Sequence, residues 1–120
     1  MAEVKIIDSF SAAHSLRNYK GKCEALHGHN WRIEITVGRK KLDKSGMVMD
    51  FINLKKMTRG ILSRLDHCYL NELGSFKKRN PTSENIAEYI AAELKKKISP
   101  PLSLKEVRVW ETETNCAIWP

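Results

Sequence analysis

Apolar and polar residues alternate along the chain from His29 to Val37. His29, Trp31, Ile33, Ile35 and Val37 fall on one side of an extended backbone, and Asn30, Arg32, Glu34 and Thr36 on the other. A period of two predicts a strand with one buried face. The stretch from Val4 to His14 is mostly apolar or small, and if extended it places Phe10, Ala12 and His14 on a shared face. A charged turn region follows from Gly38 to Gly46, and Met47–Phe51 reads as a short third extended piece. The period then changes, with Leu54, Met57, Ile61 and Leu65 forming one helical stripe. Pro81-Thr82-Ser83 is a helix-start signal, and Ile86, Ile90, Leu94 and Ile98 continue at four-residue spacing until Pro100-Pro101 stops the pattern. Val107, Val109 and Glu111 alternate with Glu106, Arg108 and Trp110 in a late strand, and Ala117–Trp119 is placed to pair back across Thr112–Cys116. Strands at both ends around two central helices predict an α+β domain with an antiparallel sheet, rather than βαβ crossovers.

Length and composition add boundaries to this picture. A chain of 120 residues, 42% hydrophobic and 29% charged, has ordinary globular usage and supports one core. No apolar run approaches the roughly 20 residues that span a bilayer, and Met1–Lys5 does not open like a signal peptide. Cys23, Cys68 and Cys116 make an odd count without framework spacing, which favours a reduced, cytoplasmic setting. The net charge of +7 invites a polyanion reading. Much of the excess lies in Lys55-Lys56, Lys77-Lys78-Arg79 and Lys95-Lys96-Lys97, expected on solvated surfaces and not interleaved with the aromatic residues a base-stacking platform needs. The charge therefore does not argue for nucleic acid, and it suits an anionic small molecule better.

The candidate chemistry centres on histidine. His27 and His29 flank Gly28, so both side chains leave an extended chain on the same side, and Cys23 lies four residues before the pair. With His14 they offer three imidazoles to one metal ion. Three neutral imidazoles leave a fourth zinc position open, the mark of a catalytic rather than a structural site. Singly, each of these side chains has a structural explanation. A lone strand histidine is usually just hydrogen-bonded, and a lone cysteine is usually a small buried side chain. Leu65-Asp66-His67 reads either as a helix end suited to a cationic imidazole or as an orienting carboxylate beside a proton-transfer histidine. Glu111 follows Val107 and Val109 on the inward face, which favours a buried acceptor for paired N–H donors. Cys68 and Cys116 read as structural.

These motifs together resemble the family of 6-pyruvoyl-tetrahydropterin and 6-carboxytetrahydropterin synthases over nearly the whole chain, which implies one domain across residues 1–120. Phe10-Ser11-Ala12-Ala13-His14 is similar to the family's first zinc-ligand motif. Cys23-x-x-x-His27-Gly28-His29 resembles its catalytic cysteine and the other two ligands. Leu65-Asp66-His67 resembles its catalytic aspartate and histidine, Pro81-Thr82-Ser83-Glu84-Asn85 the opening of its second helix, and Trp110-Glu111-Thr112 the strand with its pterin-anchoring glutamate.

The resemblance implies a four-stranded antiparallel sheet with two helices on one face, the tunnelling fold. Several such sheets would join into a barrel in a homohexamer made of two trimers. It also implies a cytoplasmic enzyme that uses Zn2+ on His14, His27 and His29 as a Lewis acid and takes a pterin triphosphate as substrate, without nucleic acid or membrane. In that reading Cys23, Asp66 and His67 transfer protons, and Glu111 holds the ring with Thr82 or Ser83 completing the recess. The three residues between Cys23 and His27 are similar to the 6-carboxytetrahydropterin synthases, whereas pyruvoyl-forming enzymes tend to carry a longer insertion. This implies conversion of 7,8-dihydroneopterin triphosphate to 6-carboxy-5,6,7,8-tetrahydropterin on the way to 7-deazaguanines. A pyruvoyl-forming enzyme is the alternative, and Glu24 lies beside Cys23 in a region where some relatives that make a folate precursor use a glutamate. An alternative from another class is a non-enzymatic, zinc-stabilised RNA-binding module. Three histidines without a fourth protein ligand count against it. Steep loss of binding with salt would distinguish it.

Overall fold

The structure is a computed structural model and describes residues 1–19 and 25–120. Strands β1 (Ala2–His14), β2 (His27–Arg39), β3 (Ser103–Thr112) and β4 (Asn115–Trp119) form one antiparallel sheet in the order β1-β2-β3-β4. Helices α1 (Phe51–Leu62) and α2 (Ser83–Lys95) lie between β2 and β3 in the chain, and α1 packs on β1 while α2 packs on β3 and β4. The α+β architecture expected from the sequence is the one observed.

Register follows from the alternating pattern, because slipping by one residue would turn every apolar side chain of β2 to the wrong face. Phe10 pairs with Trp31, Ala12 with His29 and His14 with His27, while Ile33 and Ile35 pair with Val109 and Val107. The apolar members of these pairs meet Leu54, Ile61, Leu62, Ile86, Ile90 and Leu94 from the helices in one buried layer. Burial of each large aliphatic or aromatic side chain contributes roughly 1.5–3 kcal/mol before entropy is counted. Phe10 and Trp31 stack with ring centroids 5.1 Å apart, which places a rigid aromatic floor under the histidine end of the strands.

Two local expectations are corrected. Met47–Phe51 is not a strand. Asp43 Oδ1 accepts the backbone N–H groups of Ser45 and Met47, closing a turn, and Asp50 caps α1 by accepting from the Ile52 N–H. Aspartate side chains thus decide the conformation where an apolar run suggested extension. The α1 stripe also ends earlier than Leu65: the helix stops at Leu62, and Leu65 is buried from the following turn. The second helix starts as read, with Thr82 Oγ1 accepting from the Asn85 N–H as its cap, and the return strand β4 begins at Asn115, ahead of Ala117.

The helix-free face of the sheet is held by charge. Glu34 is buried there, accepting from Trp110 Nε1 at 2.7 Å and from Lys5 Nζ at 3.2 Å, with Arg32 Nη2 at 3.3 Å. Burial pushes this carboxyl up, but those hydrogen bonds and the Lys5 and Arg32 charges outweigh it and hold the pKa below the usual value. Lys55, Lys56, Lys77, Lys78, Arg79 and Lys95 to Lys97 are all exposed, as expected of solvated runs. No helix among the described residues is long and apolar enough to cross a membrane.

Candidate functional site

Antiparallel pairing of β1 with β2 brings His14 opposite His27, two residues along from the Ala12–His29 pair. Sequence separation of thirteen residues becomes contact, and the three rings converge at one end of the sheet. One ligand atom from each of His14, His27 and His29 lies within 4.8 Å of the others, a grouping that could hold a metal ion. His14 is buried and the other two are half-buried.

The hydrogen bonds fix which nitrogens face inward. His14 Nδ1 lies 2.8 Å from the Pro81 carbonyl oxygen and His27 Nδ1 lies 2.9 Å from that of Ala25. A carbonyl only accepts, so each Nδ1 carries the proton and donates it. Both Nε2 atoms then turn their lone pairs toward each other, and they stand 3.0 Å apart. Two facing lone pairs repel unless a cation or an added proton sits with them. Tetrahedral zinc at its usual nitrogen distance sets ligand nitrogens about 3.3 Å apart. The donor set and the orienting carbonyls therefore fit a zinc ion.

Glu111 reaches the same cluster from β3. Its Oε1 is 3.3 Å from His29 Nε2, and its Oε2 accepts from Ser83 Oγ at 3.2 Å. Glu111 is half-buried and not sealed in the core. It lines a cleft of about 400 Å³ with Arg17, Tyr19, Asn80, Thr82 and Ser83. The three residues expected to bind substrate thus stand together, although the Thr82 hydroxyl is occupied in capping α2.

Asp66 and His67 lie on the turn after α1, docked against the outer edge of β1. The His67 N–H donates to the Ser11 carbonyl at 2.6 Å, the Ala13 N–H donates to the Cys68 carbonyl at 3.0 Å, and Ala13 bridges to Tyr69. Asp66 Oδ1 accepts from the Ser11 N–H and from His67 Nδ1, both at 2.9 Å. The Ser11 hydrogen bond is the largest influence on the Asp66 carboxyl, and with the weaker help of the His67 and Arg59 charges it outweighs the opposing effect of burial and holds the group below its usual value. His67 adopts φ 55°, a left-handed conformation uncommon for residues other than glycine, and its imidazole is 81% exposed. His67 and His29 line one depression of about 650 Å³ with Ser11, Gly28 and Tyr69.

Cys23, expected to carry a reactive thiol, lies outside the described residues, as does Glu24. The segment leading toward it is fastened by residues that sequence reasoning passed over. Asn71 exchanges two hydrogen bonds with the Ser15 backbone, and Asn80 does the same for Arg17. Arg59 on α1 reaches Asp66 and was likewise missed. Helical phase alone marks Arg59 as an exposed boundary position beside buried Thr58, so only the folded chain reveals its partners.

Comparison with known proteins agrees with this geometry. The chain is 42% identical over 114 residues to the 6-carboxy-5,6,7,8-tetrahydropterin synthase of Synechocystis sp., covering 91% of this chain and 85% of that protein. It is 39% identical over 103 residues to the dihydroneopterin monophosphate aldolase of Pyrococcus furiosus, covering 86% and 83%. The solved structure of Caenorhabditis elegans 6-pyruvoyl tetrahydropterin synthase superposes with a TM-score of 0.84 at 32% identity, covering 98% of this chain and 94% of that one. Residues 3–120 match the family described as 6-pyruvoyl tetrahydropterin synthase. With the sheet, the helices and the three converging imidazoles in place, the chain belongs to the 6-pyruvoyl tetrahydropterin synthase family and to pterin metabolism.

Proposed function

We propose that this protein is a zinc-dependent 6-carboxy-5,6,7,8-tetrahydropterin synthase that converts 7,8-dihydroneopterin triphosphate and water to the carboxy pterin, releasing acetaldehyde and triphosphate. The observation that carries the reading is the convergence of His14, His27 and His29 with Glu111 beside His29. The name of the Synechocystis relative and the three-residue spacing from Cys23 to His27 support the product, which leads toward 7-deazaguanines.

Zinc on the three histidines supplies Lewis acidity toward the oxygens of the substrate side chain. Glu111 accepts the paired N–H donors of the pterin ring while Ser83 steadies its other oxygen. Cys23, as thiolate, removes a proton, and His67 returns or relays one while Asp66 holds its Nδ1–H. Basic side chains near the mouth, Arg17 among them, offset the triphosphate charge. Sheets from neighbouring copies close into a barrel, a homohexamer of two trimers, with the Asp66–His67 pair reaching Cys23 across or beside a subunit boundary. Such an enzyme works in the cytoplasm.

A second reading is favoured by the Pyrococcus relative's name and by Glu24 next to Cys23: a retro-aldol cleavage that leaves a hydroxymethyl pterin. One assay separates the readings. Purified protein with zinc, given dihydroneopterin triphosphate and, separately, the monophosphate, is expected to yield the carboxy pterin and acetaldehyde from the triphosphate by mass spectrometry. A pyruvoyl pterin without acetaldehyde, or a hydroxymethyl pterin, overturns the first reading in favour of the corresponding alternative.

A further inference from the structure

Arg59 projects from α1 toward the edge of β1 and touches two carboxylates. Its Nη1 donates to Asp8 Oδ1 at 3.0 Å and to the Ser9 carbonyl at 3.1 Å, and its Nη2 lies 3.5 Å from Asp66 Oδ2. Asp8 is fixed in turn, because its Oδ1 also accepts from the Ser9 N–H at 2.7 Å. The other Asp66 oxygen is taken by the Ser11 N–H and His67 Nδ1. The carboxylate is therefore held from β1 and from its own turn through Oδ1, and from α1 through Oδ2. A planar guanidinium can bridge two carboxylates in this way, whereas an ammonium offers one point charge.

From this arrangement we infer that Arg59 is a positioning residue for the Asp66–His67 pair: clamped on Asp8 and Ser9, it fixes the Asp66 carboxylate so that His67 donates through Nδ1 and keeps Nε2 for proton exchange. The inference rests on the reading of this pair as the proton-transfer groups. His67 needs such a clamp because its exposed ring has little packing to orient it. Its backbone is secured through the Ser11 carbonyl, but the ring itself is directed by Asp66. The charged and titratable groups facing Asp66 among the described residues are Arg59 from α1, Asp8 from β1 beyond that guanidinium, and His67 and Cys68 from its own turn. Without Arg59 the Asp66 carboxyl loses a cation that favours ionisation, so its titration moves upward.

The test uses full-length protein loaded with zinc, comparing Arg59→Met, Arg59→Lys and Asp66→Asn. In Arg59→Met, kcat at neutral pH should fall on the order of tenfold with KM little changed, as expected for a displaced catalytic group. The acid limb of its pH profile should move upward by at least half a unit. Arg59→Lys restores charge without the fork, so it should return the limb toward its original position and recover only part of the rate. Carbon NMR titration of the Asp66 carboxylate reads the same shift without depending on turnover. A wild-type acid limb in Arg59→Met beside an inactive Asp66→Asn overturns the inference and leaves the pair standing. A lowered melting temperature with an unmoved Asp66 titration makes the contact merely structural and also overturns it. Full turnover by Asp66→Asn overturns the reading of the pair itself, and the inference falls with it.

Discussion

His14 Nε2 and His27 Nε2 stand 3.0 Å apart with both rings committed, through Nδ1, to main-chain carbonyls. Neither imidazole can relieve the contact by swapping tautomers without losing its carbonyl partner. Protein left without a cation must hold a proton between these rings or let one of them turn away. A bound metal ion stabilises the folded state by satisfying both lone pairs at once, so the local fold and the metal affinity are linked.

About one zinc ion per chain should co-purify, and His27→Ala and His29→Ala should each lose most of it while keeping the fold. Zinc at a hundred times its dissociation constant raises stability by about 2.7 kcal/mol, so chelation should lower the melting temperature of the wild type and barely move that of the mutants. Trp31 provides a second readout, since its ring centroid lies 5.0 Å from that of His14 and 5.1 Å from that of His29. Cobalt substitution should quench its fluorescence. Unchanged metal content in both mutants would remove the site assignment.

Cys23→Ala should abolish nearly all turnover while zinc content stays at the wild-type level. The thiol is proposed as a proton-transfer group, and the three histidines supply the ligand set without it. Metal analysis and a product assay on the same preparation check both halves. Zinc loss in this mutant would move Cys23 into the coordination shell.

The β2 alternation, the His27-Gly28-His29 pair and the inward side of Glu111 were all legible in the sequence, because each depends on the strand period of two. The convergence of His14 with that pair was legible only as an expectation, since it needs the β1–β2 register. What sequence missed is set by side chains meeting across long separations. Asp43 closes a turn that an apolar Met47–Met49 run disguised. Arg59 meets Asp66 only because the turn after α1 folds back onto β1. No periodicity records such contacts, and neither does the amide clamp of Asn71 and Asn80 on the chain leaving β1.

Glu34 makes stability depend on pH. Its carboxyl is held below the usual value of 4.5 in the fold, so its contribution is fully present above that value and is lost as pH falls through the lower folded value. Urea unfolding of the wild type should weaken steeply as acid is added across that window. In Glu34→Gln the slope should flatten, at a cost on the order of 1–3 kcal/mol at neutral pH from leaving Trp110 Nε1 and Lys5 with a neutral partner. Parallel slopes for the two proteins would show that the Lys5–Glu34–Trp110 cluster carries no linkage.

In the order β1-β2-β3-β4, the outer edges of β4 and β1 pair with no further strand among the described residues, β1 meeting the Arg59 side chain at Ser9 and the Asp66–Tyr69 turn near its His14 end. Such edges leave backbone N–H and C=O groups without strand partners and invite pairing with another copy. Both helices lie on one face of the sheet, so the other face, with Ile7 at 54% and Ile118 at 50% exposure, is also uncovered by this chain. Closing β4 of one copy onto β1 of the next would satisfy the edges and enclose that face in a single step. Light scattering on the size-exclusion peak should therefore give roughly six times the 13.8 kDa of one chain, and dilution that breaks the assembly should abolish turnover with it. A stable, fully active monomer would sink the barrel and require one chain to bring Cys23, Asp66, His67 and the three histidines together unaided.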